Sequence, residues 1–163
     1  MPTTYHNDVC GRTEDAVVAY LVAQALANIP AGQIYPGLEN STAIEDESAE
    51  ALRALPCVTV ICQNAQPDGM FDAGDGTNIT WRVQCDIRVR SNAQDTTRAA
   101  HRTRTGEVFS VFNVTTIAAD LSSALADFTC LKVIPGGQSY SIIGRSWESV
   151  MTVQLVATGY DVS

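Results

Sequence analysis

Histidine is scarce in this chain: only His6 and His101 occur among 163 residues. His6 precedes the first predicted element, and His101 lies among arginines that disfavour its protonation. No G-x-S-x-G elbow is present, nor a Walker loop, nor a G-x-G-x-x-G following a strand. These absences remove the usual routes to nucleophilic catalysis and to nucleotide binding. The five cysteines form no C-x-x-C pair, and short ligand spacings for zinc are missing. No apolar run approaches the roughly 20 residues a membrane helix needs. The opening MPTTYHNDV has no basic region followed by an apolar run, so no signal peptide is expected.

Basic residues are also in deficit. Ten Lys and Arg face 18 Asp and Glu, for a net charge of −8 and a pI of about 4.5. A chain this acidic does not gather nucleic acid by bulk attraction. The imbalance is uneven: up to Asp75 there are 11 acids and 2 bases, and from Gly76 onward 7 acids and 8 bases. Six of the ten bases lie between Arg82 and Arg104. Such two-sidedness suits head-to-tail contact between copies. Intramolecular pairing with Asp86, Asp95 or Glu107 is an equal alternative for the arginines.

What is present reads as one domain over 1–163, with 45% hydrophobic residues for a core. A helix is predicted from Thr13 to Asn28, capped by Thr13, with Val18, Leu21, Val22, Ala25, Leu26 and Ile29 as its apolar stripe. A short strand at 33–36 and a buried one at 57–63 follow. Residues 39–50 hold five acids and read as a loop or short helix. From Ile79 to Arg90 the side chains alternate without a break. Ile79, Trp81, Val83, Cys85, Ile87 and Val89 fall on one face, and Arg82, Arg88 and Arg90 on the other. That period of two requires a strand with one buried face. Residues 64–78 join these strands as an extended hairpin arm. Helices are predicted at 96–113 and from Ile117 to Phe128. Strands are predicted at 130–134, 139–143 and 147–159, with Pro135-Gly136-Gly137 as a turn. Cys85, on the apolar strand face, and the other cysteines read as reduced and buried. The order implies an α+β (α/β) sandwich: a mainly antiparallel or mixed sheet with two to three helices on one face.

Asp68, Asp72 and Asp75 invite a calcium reading, but spacings of four and three residues without a distant Glu do not make an EF-hand. They read instead as an acidic loop tip. Arg82, Arg88, Arg90, Arg98, Arg102 and Arg104 lack the interleaved aromatics that stack nucleic-acid bases. They are assigned to subunit or partner contacts, with Arg98 and Arg102 on one helix face.

The layout resembles a known family. It has an apolar first helix, then IYPG at 34–37, LPCVTVIC at 55–62 and a loop arm. WRVQCDIRVRS at 81–91 runs on to a helix ending VFSVFN at 108–113, and WESVMTVQLVATG closes at 147–159. This order is similar to tail terminator (tail completion) proteins of long-tailed bacteriophages and phage-like particles. The resemblance implies a virion structural protein, not an enzyme, without cofactor or metal. Its subunits would form a hexameric ring in the tail or neck, assembled in the host cytoplasm. The ring would cap the tail tube, stop its polymerisation and meet the head connector or adaptor protein. DNA would pass through the bore without specific binding, and Asp68, Asp72 and Asp75 would line the bore or an inter-subunit contact. The acidic 39–50 segment is longer than the family pattern implies. A head-completion or head–tail adaptor ring is the nearest alternative. A small cysteine enzyme and a monomeric binding module are rivals of other classes.

Overall fold

The computed structural model describes residues 8–36, 55–67, 78–126 and 128–160. Helix α1 spans Val9–Ala23. A 3-10 turn at Ala31–Gln33 leads into β1, Ile34–Pro36. Strands β2 (Cys57–Pro67) and β3 (Asn78–Asn92) follow, then helices α2 (Arg98–Ser110) and α3 (Ile117–Ala124). Strands β4 (Thr129–Ile143) and β5 (Ser146–Tyr160) close the chain. The five strands form one sheet in the order β1-β2-β3-β5-β4. β1 runs parallel to β2, and the other neighbours are antiparallel. This is the α+β architecture expected from the sequence, and the β2–β3 hairpin pairs as far as Pro67 opposite Trp81.

Alternation decides how the sheet is buried. Val83, Cys85, Ile87 and Val89 of β3 stand opposite Leu155, Val153, Met151 and Ser149 of β5. Val58 and Val60 of β2 continue that face. All three helices lay apolar residues on it: Ala16, Val17, Tyr20 and Leu21 from α1, Val108 and Phe109 from α2, Ile117 and Leu121 from α3. Each large apolar side chain buried this way contributes roughly 1.5–3 kcal/mol relative to exposure.

Three details depart from the sequence-based expectation. Helix α1 begins four residues before Thr13, because the Asp8 carboxylate accepts from the Gly11 N–H at 2.9 Å and caps the helix there. Thr13 is then inside the helix, where its hydroxyl donates to the Val9 carbonyl at 2.7 Å. The buried stripe is accordingly Thr13, Ala16, Val17, Tyr20 and Leu21, while Val22 is exposed. The helix ends early at Ala23, and Ala25 adopts a left-handed φ of 50°. Helix α3 likewise stops at Ala124, short of Phe128, and α2 is trimmed to Arg98–Ser110.

The third departure is the largest. Pro135-Gly136-Gly137 is no turn, and a single β4 runs through it to Ile143. The pairing with β5 shifts register between Pro135 and Gln138, so the tripeptide is a bulge. A proline is tolerated because β4 is an edge strand, where a missing N–H costs no ladder bond. A side chain at Gly136 would place its Cβ 2.8 Å from the Thr152 carbonyl oxygen, so the bulge lets β4 hug β5. The actual turn is Gly144-Arg145, with Gly144 at φ 57°.

Candidate functional site

Helix α2 starts where Thr97 accepts from the Ala100 N–H at 3.2 Å. Its first residue is Arg98, and no acid sits in the first turn. A cation at that end opposes the helix dipole. The placement has a local use: the Arg98 guanidinium stands 5.4 Å from the centre of the Tyr140 ring. Tyr140 stacks on Trp147 at 5.8 Å, and the Trp147 Nε1–H donates to the Thr96 carbonyl at 3.0 Å. This aromatic pair ties β4 and β5 to the start of α2.

Between α2 and β4 lies a 580 Å³ cleft. Arg98 and Arg102 line it on the helix side with Thr105, Ser110 and Asn113; Gln138, Ser139 and Tyr140 line the strand side. The two arginines are exposed and one helical turn apart. Neither carries a carboxylate partner among the described residues, unlike Arg88 beside Asp86 and Arg90 beside Glu148. The cleft therefore presents two unneutralised guanidinium groups ringed by hydroxyls and amides, a lining suited to carboxylates.

Next to the cleft-lining Thr105 and Ser149, His101 is fully buried. Its Nδ1 meets the Ser91 hydroxyl and its Nε2 the Ser149 hydroxyl, each at 2.9 Å. Thr105 donates to the Ser149 oxygen at 3.1 Å, and Arg104 donates to the Ser91 oxygen at 3.1 Å. Burial first, then the charge of Arg104, pushes the His101 pKa down to about 4. The imidazole is neutral at pH 7. A hydroxyl, not a carboxylate, holds its Nδ1, so nothing stabilises an imidazolium. The cluster joins α2 to β3 and β5, and it is a weak base for chemistry.

The six arginines do not form one surface. Arg82, Arg88 and Arg90 alternate on the sheet face away from the helices, whereas Arg98, Arg102 and Arg104 belong to α2. Arg88 contacts Asp86 at 3.4 Å, one of the intramolecular pairings the sequence allows. Asp86 also accepts from Gln63 at 2.9 Å and Thr152 at 3.2 Å, linking three strands. Arg90 is buried beside Glu148, with its Nε and Nη1 unpartnered. Arg104 is spent on Ser91 and Thr96. Glu107 accepts from Ala27 and Asn28 instead of an arginine. Asp68, Asp72, Asp75 and the acidic 39–50 segment lie outside the described residues.

A feature beside the cleft escaped the sequence reading. Strand β4 exposes Leu131, Ile134, Tyr140, Ile142 and Ile143, with Leu131 and Ile142 each 56% accessible. It does so along the outer edge of the sheet. Splitting β4 at Pro135 hid this, because two short strands do not show a 15-residue edge.

Among the described residues no group of three or more His, Cys, Asp or Glu could hold a metal ion. No helix among them is long and apolar enough to cross a membrane. No protein-family model matches the chain, and no curated protein matches it.

Proposed function

We propose that this chain is a virion structural protein of the tail terminator kind, whose copies close into a hexameric ring on the end of a tail tube. The observation that carries the assembly reading is the β4 edge. Lys132 and the Pro135 bulge blunt the middle of this edge, but Leu131 on one side and Tyr140, Ile142 and Ile143 on the other stay exposed, and those apolar ends are a template for association. The opposite edge, β1, is three residues long and ends in Pro36. The two edges therefore do not match. Contact between copies is head to tail, with the β4 edge and the Arg98–Arg102 cleft of one copy meeting an acidic surface of the next. The first 75 residues carry a net charge of −9, which gives the chain acidic side chains for such a contact.

Capping on this reading is a mismatch. One ring face resembles what a tube subunit docks on, and the other does not, so growth ends. The ring's partners are then the tube protein on one side and the head connector or adaptor on the other, and DNA passes without specific contact.

Reversing both Arg98 and Arg102 to Glu tests the contact. Ring mass and tube binding should weaken while the circular dichroism spectrum stays unchanged; unaltered assembly would remove the cleft from the interface. Tube subunits polymerising in the presence of the wild-type protein should give short, capped tubes in electron micrographs. Tubes of unrestricted length would reject the capping role.

A further inference from the structure

The first turn of α1 and the end of the regular part of β2 hold two sulfur atoms against each other. Cys10 Sγ lies 2.6 Å from Cys62 Sγ, across a sequence separation of 52 residues. That is about half an ångström beyond the bonded S–S length of roughly 2.05 Å. Both cysteines are thiols in this structure.

The approach is built by the fold. Cys10 and Glu14 are one helical turn apart, on the same face of α1. The Glu14 carboxylate accepts the backbone N–H of Cys62 at 2.8 Å, which sets α1 against β2 at that level. One turn earlier, Cys10 then meets the side chain of the same residue. Immediately after Cys62 the pairing of β2 with β3 shifts register, freeing Cys62 locally from the flat sheet. Exposure separates this pair from the other cysteines. Cys10 and Cys62 are half-buried and open to reagents, whereas Cys57, Cys85 and Cys130 are buried.

We propose that Cys10 and Cys62 are an oxidative modification site, forming an intramolecular disulfide that staples α1 to β2 once the chain meets a small-molecule disulfide such as oxidised glutathione. The Cys10 thiolate attacks one sulfur of the glutathione disulfide, and the S–S bond breaks. One glutathione leaves as a thiolate and takes up a proton. The Cys62 thiolate then attacks the Cys10 sulfur and expels the second glutathione. Two protein thiols are oxidised and one glutathione disulfide is reduced to two thiols. Burial, the neighbouring thiol and Glu14 push Cys10 up to about 12, and contact with Cys85, then burial, pushes Cys62 up as well. Few thiolates exist at neutral pH, so the exchange is slow and leaves the chain reduced in a reducing cytoplasm. The inference stands on this geometry alone and does not require the ring.

The test uses the full chain, purified reduced and then incubated with excess oxidised glutathione at mildly alkaline pH. Non-reducing peptide mapping should find one intramolecular Cys10–Cys62 crosslink, with three of the five cysteines still alkylated in denaturant. The crosslinked form should melt on the order of 10 °C higher than the reduced form. Cys10→Ser should fold and lose both the crosslink and the rise; Cys85→Ala should keep both, whatever its own starting stability. Five alkylatable thiols after incubation would overturn the proposal. So would a crosslink through Cys85, which faces Cys62 across the strands, or one joining two copies.

Discussion

At the scale of residues, two buried polar groups carry more of the account than any exposed charge. His101 is neutral because the fold lowers its pKa from 6.5 to about 4. Its contribution to stability is therefore fully present above pH 6.5 and is lost as pH falls from there toward 4, because the unfolded chain takes up the proton first. The loss amounts to about 2–3 kcal/mol. Denaturant midpoints measured from pH 7 to pH 4.5 should fall more steeply for the wild type than for His101→Gln. Parallel slopes would mean that His101 is not held neutral. Arg90 and Glu148 are the second case. Burial lowers the Arg90 pKa and the carboxylate raises it again. Removing one partner strands the other, so Arg90→Ala should cost about 3–5 kcal/mol, and Arg90→Met with Glu148→Leu should recover most of that. A double variant as unstable as the single one would show that packing, not charge, is the larger part. The low basicity of His101 was legible in part, since neighbouring arginines disfavour its protonation, but its burial and the Arg90–Glu148 pair were not. Arg90 read as one more outward arginine of an alternating strand, because alternation assigns a face and says nothing of what covers it.

At the scale of elements, β4 is where the prediction is sharpest. Ile142→Lys places a charge on the exposed edge without touching the core, since Ile142 is 56% accessible. Association should weaken and thermal stability should change little, on the order of 0.5 kcal/mol. Sedimentation velocity beside a melting curve reads both, and unchanged association would clear the edge of any part in assembly. The β3 strand was legible from sequence, because an unbroken period of two over 12 residues admits one geometry. The helices were legible in number, but their ends were not. Asp8 outcompetes Thr13 as a cap, and Ala25 turns left-handed without a glycine to announce it. The apolar face of α1 was misjudged for the same reason, since small alanines and Thr13 face the sheet as readily as valines do. β4 was cut in two because Pro-Gly-Gly carries turn chemistry everywhere except in an edge bulge. The cleft depends on β4 meeting α2 across a long separation in sequence, which no local pattern records.

At the scale of the whole molecule, the two halves of the chain differ in charge, and the two edges of the sheet differ in length. In the proposed ring, a subunit with mismatched ends joins copies head to tail, and closure satisfies every contact while an open chain leaves two ends. Ion pairs between exposed arginines and acids weaken as salt screens them, whereas apolar edge contacts persist. The most direct test is the mass of the assembled species by native mass spectrometry, over a range of protein concentration and ionic strength. The account predicts six copies of the 17.4 kDa chain, with the population shifting to smaller species as salt rises. A monomer at every condition, or a dimer that salt does not touch, would contradict it.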